Sequence, residues 1–166
     1  MKTTIAIVLA IIALSIFTII GLKGLSLKQN CTGYLKQAAD ANTVETAKTQ
    51  LGKSIKYLEE HNMTTGYTSI AYNTPDEDIE FFYNNLKESE KELSKVDSTT
   101  SSLEKTNLLM KLRETLLDGG KDGDELTIPK GLSKHPNNLM WGILMTLAVL
   151  ITLGLFIWAS IEFDGR

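Results

Sequence analysis

The chain is 166 residues long, carries 17 Lys and Arg against 20 Asp and Glu, and has one cysteine. Two long apolar blocks near its ends leave 116 residues, Lys23 to Asn138, to face water; their 15 basic and 18 acidic side chains nearly cancel, which excludes a basic nucleic-acid face. A lone Cys31 excludes an intrachain disulfide and a cysteine-rich zinc site, and leaves only a bridge to another chain.

After a short tail at 1–4, the stretch 5–22, "IAIVLAIIALSIFTIIGL", holds no charge in 18 residues. At about 1.5 Å per residue it spans about 27 Å, close to a hydrocarbon core. It exceeds the apolar length of a secretory signal, and no small-x-small cleavage site follows, so it reads as a retained first transmembrane helix. Ala6, Ala10 and Ala13 offer a small-residue side for a second helix to approach.

Residues 23–118 read as a helical bundle domain. Leu27, Cys31, Tyr34, Leu35 and Ala38 keep helical spacing beyond the span, with Gly33 as a weak spot. "NTVE" predicts a second helix capped by Asn42, with Glu45 reaching back and Val44, Ala47, Leu51, Ile55 and Leu58 on one face as far as Glu60. The third opens in "NTPDEDIEFFYNNL". Thr74 is the expected cap, Pro75 the first helical residue and Glu77 the capping-box partner, with Ile79, Phe82, Tyr83, Leu86 and Leu93 buried as far as Val96. Acids in that first turn favour the helix dipole by about 0.3–1 kcal/mol each, which explains the cluster without a metal. The fourth starts at Ser101 with Glu104 three residues on, and carries Leu103, Leu109, Met110, Leu112, Leu116 and Leu117. Arg113 lies within that apolar arc and Glu90 within the arc of the preceding helix, which predicts that Arg113 forms a buried ion pair with Glu90 or with an acid near the start of its own helix. The loop 62–73, "NMTTGYTSIAYN", is longer than a bundle turn needs, and Tyr67, Ile70 and Tyr72 mark it as a candidate interaction loop.

Residues 119–138 are rich in Gly and Pro and read as a flexible linker. Residues 139–161 form a second uncharged run with Trp141 and Trp158 near its ends as interfacial anchors, followed by a short tail at 162–166. Gly142, Thr146 and Gly154 are its small residues. The expected fold class is an all-α membrane protein, two transmembrane helices flanking a small up-down helical bundle. Juxtamembrane lysines favour a cytoplasmic middle domain, whereas a loop this long translocates largely regardless of charge and a short Lys-bearing first tail stays inside; the balance places the domain outside the cytoplasm.

No chemistry-bearing constellation emerges, so no catalytic residue, cofactor or metal is assigned and enzyme activity is not expected. Counting a calcium loop from Asp118 puts Gly123 at position six but Gly120 at three and Pro129 at twelve, where carboxylates belong. His61 and His135 stand outside any Glu-x-x-His pair, and neither span carries an ionisable residue for an ion path. The expected function is a non-enzymatic two-pass membrane protein whose helical domain mediates protein–protein interaction as an accessory or scaffolding subunit. Its partners are the lipid bilayer and a protein or further copies of itself, not nucleic acid. The alternative is an extracytoplasmic ligand-sensing domain that signals through a separate partner; the order span, bundle, span resembles bacterial chemoreceptor input modules in layout, with no shared motif.

Overall fold

The computed structural model of the chain describes residues 2–120 and 123–164. The protein is mostly helical, at 75%, and two of its helices are long and apolar enough, by length and composition, to cross a membrane.

The first helix, α1 (Lys2–Leu27), already includes most of the expected first tail and does not stop where its apolar run ends. It passes through one π-helical turn at Lys28–Thr32 into α2 (Gly33–Ala39). The Gly33 N–H donates to Lys28 O across that turn, and a Cβ at Gly33 would lie 2.8 Å from the same oxygen. Gly33 is therefore where the helix widens, not where it breaks, because only glycine lets the backbone pass so close. The Ser54 hydroxyl donates to Cys31 O at 2.9 Å, satisfying a fully buried carbonyl within the widened turn.

Helix α3 (Val44–Glu60) is capped by Thr43, whose hydroxyl accepts from Thr46 N at 3.2 Å. The cap falls one residue after the expected Asn42. At its other end Asn62 adopts the left-handed conformation (φ 55°), Met63 N donates to Leu58 O and Asn62 N to Glu59 O. This is a Schellman end, and it turns the chain sharply into the loop 62–73.

A 3-10 turn at Pro75–Glu77 precedes α4 (Ile79–Ser94). Asp78, not Thr74, is the cap: its carboxylate accepts from Phe81 N at 3.1 Å, while the Thr74 hydroxyl donates to Glu77 Oε2 at 2.8 Å. The expected box is thus a side-chain pair closing the 3-10 turn, since Asp78 remains extended (ψ 110°) and delays the helix by one turn.

Helix α5 (Ser102–Leu116) is capped by Ser101 as its sequence predicts. It presents Leu108, Leu109, Leu112 and Leu116 to the core and leaves Leu103 (70%) and Met110 (55%) exposed. Leu117 is buried too, but as the first residue of a strand. The expected flexible linker is folded. Strands β1 (Leu117–Gly120) and β2 (Gly123–Leu126) pair antiparallel, Leu117 opposite Leu126 and Asp118 opposite Glu125, and a 3-10 turn at Leu132–Lys134 buries Leu132. Lys121 and Asp122, between the strands, lie outside the described residues, as do Met1, Gly165 and Arg166. The last helix, α6 (Asn138–Asp164), takes in most of the expected second tail.

Helix α2 packs on α3 and α5, α3 on α4 and α5, and α4 on α5, around Leu35, Leu51, Leu58, Ile79, Leu86 and Leu116. Helices α1 and α6 pack on each other. Ala13 and Ala148 are buried within the apolar stretches of that pair, whereas Ile7, Ile11, Leu14, Leu150, Leu153 and Phe156 are exposed.

Candidate functional site

The loop 62–73 is tied at both edges. Thr68 N donates to Glu77 O, Ile79 N to Gly66 O, and Tyr67 bridges to Asp78, so its first half runs against the start of α4. Its second half reaches α6: a Cβ at Gly142 would meet Ile70 Cδ1 at 2.8 Å. Of the expected interaction residues, Tyr67 is 39% exposed, Ile70 56% and Tyr72 82%. Ile70 shares a shallow apolar groove with Leu139, Ile143 and Leu147 of α6. The loop therefore sits at the end of the bundle where α1 enters and α6 begins.

Behind it lies a polar junction. Gly66 (φ +92°) brings the backbone against the His135 ring, and Gly131 (φ +82°) stands between Asn138 and Thr68. Asn138 Nδ2 donates to Gly131 O at 3.0 Å. Thr68 Oγ1, Ser69 Oγ, His135 Nδ1 and Asn138 Oδ1 are buried with no hydrogen-bond partner among the described residues. Burial pushes the His135 imidazole below its ordinary value, and the backbone of Tyr67 and Thr65 opposes that shift only in part.

The buried ion pair expected between Arg113 and Glu90 is replaced by other partners. Arg113 donates through Nη1 to Asp40 Oδ1 at 3.1 Å, with both side chains 48% exposed, and Glu90 accepts from Lys87 Nζ at 3.0 Å. The wheel misplaced Arg113 because it counted Leu103, Met110 and Leu117 into the apolar arc; without them the buried face of α5 rotates away. Hydrogen bonding to Glu90 holds the Lys87 ammonium above its usual range, and the bond that Tyr83 donates to Glu59 Oε1 at 2.6 Å raises the phenol.

The two tryptophans mark opposite ends of the apolar pair. Lys23 Nζ sits 5.3 Å from the Trp141 ring centroid, a cation over an aromatic face at the bundle end. Trp158 lines a groove with Ala6, Ala10 and Leu155 at the far end. Sixteen residues of α6 lie between them, a rise of about 26 Å.

A second concavity, which the sequence reading did not single out, opens between the start of α4, the end of α5 and the chain after β2. Its volume is about 310 Å³. Phe82, Leu86, Leu116 and Ile128 line its apolar part, Phe81 stands at its edge 64% exposed, and Asp76, Asp78, Asp118, Glu125 and Lys130 border it. The signal for it was present: "LDGGKDGDEL" places leucines and acids symmetrically about glycines, the pattern of a hairpin.

Among the described residues no group of three or more His, Cys, Asp or Glu side chains is placed to share a metal ion. Cys31 is fully buried, out of reach of another chain. No protein-family model, curated protein or solved structure matches the chain.

Proposed function

We propose that this chain is a non-enzymatic two-pass membrane protein, α1 and α6 crossing the bilayer and flanking a small up-down helical bundle, and that the bundle binds a partner protein as an accessory or scaffolding subunit. The observation that carries the reading is the division of surface. Helices α1 and α6 leave rows of Ile, Leu, Val and Phe exposed over a length matched to a hydrocarbon core, while touching each other through small residues. The bundle between them buries its own core and offers a concave, acid-bordered apolar surface of the kind that receives a side chain of another molecule.

In this reading Trp141 and Trp158 lie at the two interfaces, and the exposed Ile70 and Tyr72 make the loop 62–73 a contact with the membrane surface beside Trp141. The domain lies on the extracytoplasmic side, since soluble segments of this length between spans cross largely regardless of charge. Purification in mild detergent, followed by identification of co-purifying proteins, tests the proposal. A stoichiometric second protein or a defined homo-oligomer is the expected result, and recovery only as a lone monomer overturns it.

A ligand-sensing domain that reports through a separate partner is the second reading. It draws on the unbroken helix from α1 into α2, which would carry a displacement of the bundle directly into the membrane. Association that depends on an added ligand, instead of being constitutive, favours this alternative.

A further inference from the structure

In β1 and β2, Asp118 and Glu125 stand directly opposite each other and both border the 310 Å³ cavity. Cross-strand neighbours have Cβ atoms about 5 Å apart, and like charges in that relation are unfavourable unless a cation lies between or above them. Among the described residues neither carboxylate has an ion-pair partner. Asp76 and Asp78 also line the cavity, Asp78 while accepting from Phe81 N as the α4 cap, so four carboxylates border it against the single ammonium of Lys130.

The apolar part is equally unbalanced. Phe82 and Leu86 belong to the core cluster, but Phe81, one residue away, projects outward, on a helix whose other exposed residues are polar or charged. An exposed aromatic ring beside an apolar cavity with an anionic border has the chemistry of a socket for one large apolar side chain flanked by cations. At about 310 Å³ the cavity is at the small end for a binding pocket, enough for one anchor side chain and too small to seat a whole helix.

We propose that this cavity receives a short segment of the partner protein in which an aromatic or long aliphatic side chain is flanked by lysine or arginine: the anchor enters between Phe82, Leu86 and Ile128, and the cations pair with Asp118 and Glu125. The proposal rests on the accessory-subunit reading for its occupant, and adds the chemistry by which that occupant is recognised.

The probe is a fluorescein-labelled hexapeptide, Gly-Lys-Phe-Lys-Leu-Gly, titrated against the full chain in phosphatidylcholine nanodiscs and read by anisotropy. Saturable binding with a Kd of about 1 mM or tighter is expected, weakening as ionic strength rises from about 0.05 to 0.5 M. The peptide with Glu in place of both Lys binds at least about tenfold more weakly. Asp118→Asn combined with Glu125→Gln lowers affinity at least about tenfold without lowering the thermal midpoint, because neutralising the opposed pair relieves the hairpin. Phe81→Ala, at an exposed position that leaves the core intact, lowers it at least about threefold. Equal binding of both peptides, no saturable binding, or an unchanged affinity in the double variant overturns the proposal. A complex that co-purifies from the membrane while the hexapeptide fails to bind overturns the cavity alone. A hexapeptide that binds a chain purifying only as a monomer overturns the subunit reading alone.

Discussion

Helices α1 and α6 reach the bundle by different physical means. Between α1 and α2 the backbone hydrogen-bond ladder never stops: the π-turn widens it, Gly33 makes room, and Ser54 from α3 donates to the buried Cys31 O at 2.9 Å. At the start of α6 the chain is held instead by close approach, with glycines at Gly66, Gly131 and Gly142 accepting His135, Asn138 and Ile70, and four buried polar atoms there have no partner among the described residues. The second junction is joined through turns and side-chain contacts instead of a continuous hydrogen-bond ladder, so it is the first expected to open. One long apolar helix thus runs into the core without a break, and the other joins it through a turn anchored by Leu132.

Truncating one buried leucine on each side is the strongest way to break that contrast. Leu35 in α2 and Leu132 before α6 are both essentially fully buried, and Leu→Ala at either costs about 2–5 kcal/mol. The extent should differ. Leu35→Ala lowers hydrogen-exchange protection throughout α2, α3 and α5, whereas Leu132→Ala releases only residues from about 127 to 142. Global loss of protection in Leu132→Ala would show that the α6 junction belongs to the same cooperative unit as the core. Ser54→Ala is the next largest test. It leaves Cys31 O buried without its side-chain donor and should cost about 1–3 kcal/mol in denaturant unfolding, with protection lost first at the π-turn.

The sequence made the α1 side legible and the α6 side not, for a physical reason. Helical spacing carries through Leu27, Cys31, Leu35 and Ala38 whatever the local turn type, so continuity was visible although the π-turn, set by one glycine against one carbonyl, was not. The caps at Thr43 and Asp78 shifted by one residue or one turn because several hydroxyl and carboxylate side chains compete at each helix start, and the extended residue that wins is chosen by what the preceding loop packs on. Residues 119–138 read as a linker because composition alone cannot distinguish glycines that loosen a chain from those, such as Gly131, that let it turn tightly. The placement of Asp118 and Glu125 across a hairpin needs strand register, which "DGGKDGDE" permits but does not fix. Arg113 failed as a buried residue for the converse reason: a wheel assigns faces by averaging, and two exposed hydrophobics on α5 pulled the average toward it.

Acid should sharpen the comparison from the α6 side. His135 has a folded-state value depressed below 6.5, chiefly through burial, so the unfolded chain binds the proton more readily. Its contribution to stability is therefore present above the unfolded value and is lost as pH falls from about 6.5 toward the lower folded value. Between pH 7.5 and 5, exchange protection at Gly66, Thr68 and Asn138 should fall while that of α3 holds. His135→Gln, which cannot titrate, should flatten this dependence. A pH response confined to the π-turn would place the titrating weakness on the wrong side.

The smallest expected effect concerns the contact between the loop 62–73 and α6. Adding a methyl at Gly142 puts it 2.8 Å from Ile70 Cδ1, yet that atom is the far end of a flexible side chain, half-exposed and free to swing away. Overpacking against backbone costs about 1–3 kcal/mol, whereas here the rotamer shift opposes a gain of about 0.5–1 kcal/mol from removing a helix-interior glycine. Gly142→Ala should therefore leave the unfolding midpoint nearly unchanged, and Gly142→Ala with Ile70→Ala should be more stable than the two single effects sum to. A coupling of that sign in a double-mutant cycle means that Ile70 rests directly on α6 through the space the glycine leaves. If the two changes simply add, the loop is held by Tyr67 and Thr68 against α4 alone, and α6 loses one of the contacts that clip it to the bundle.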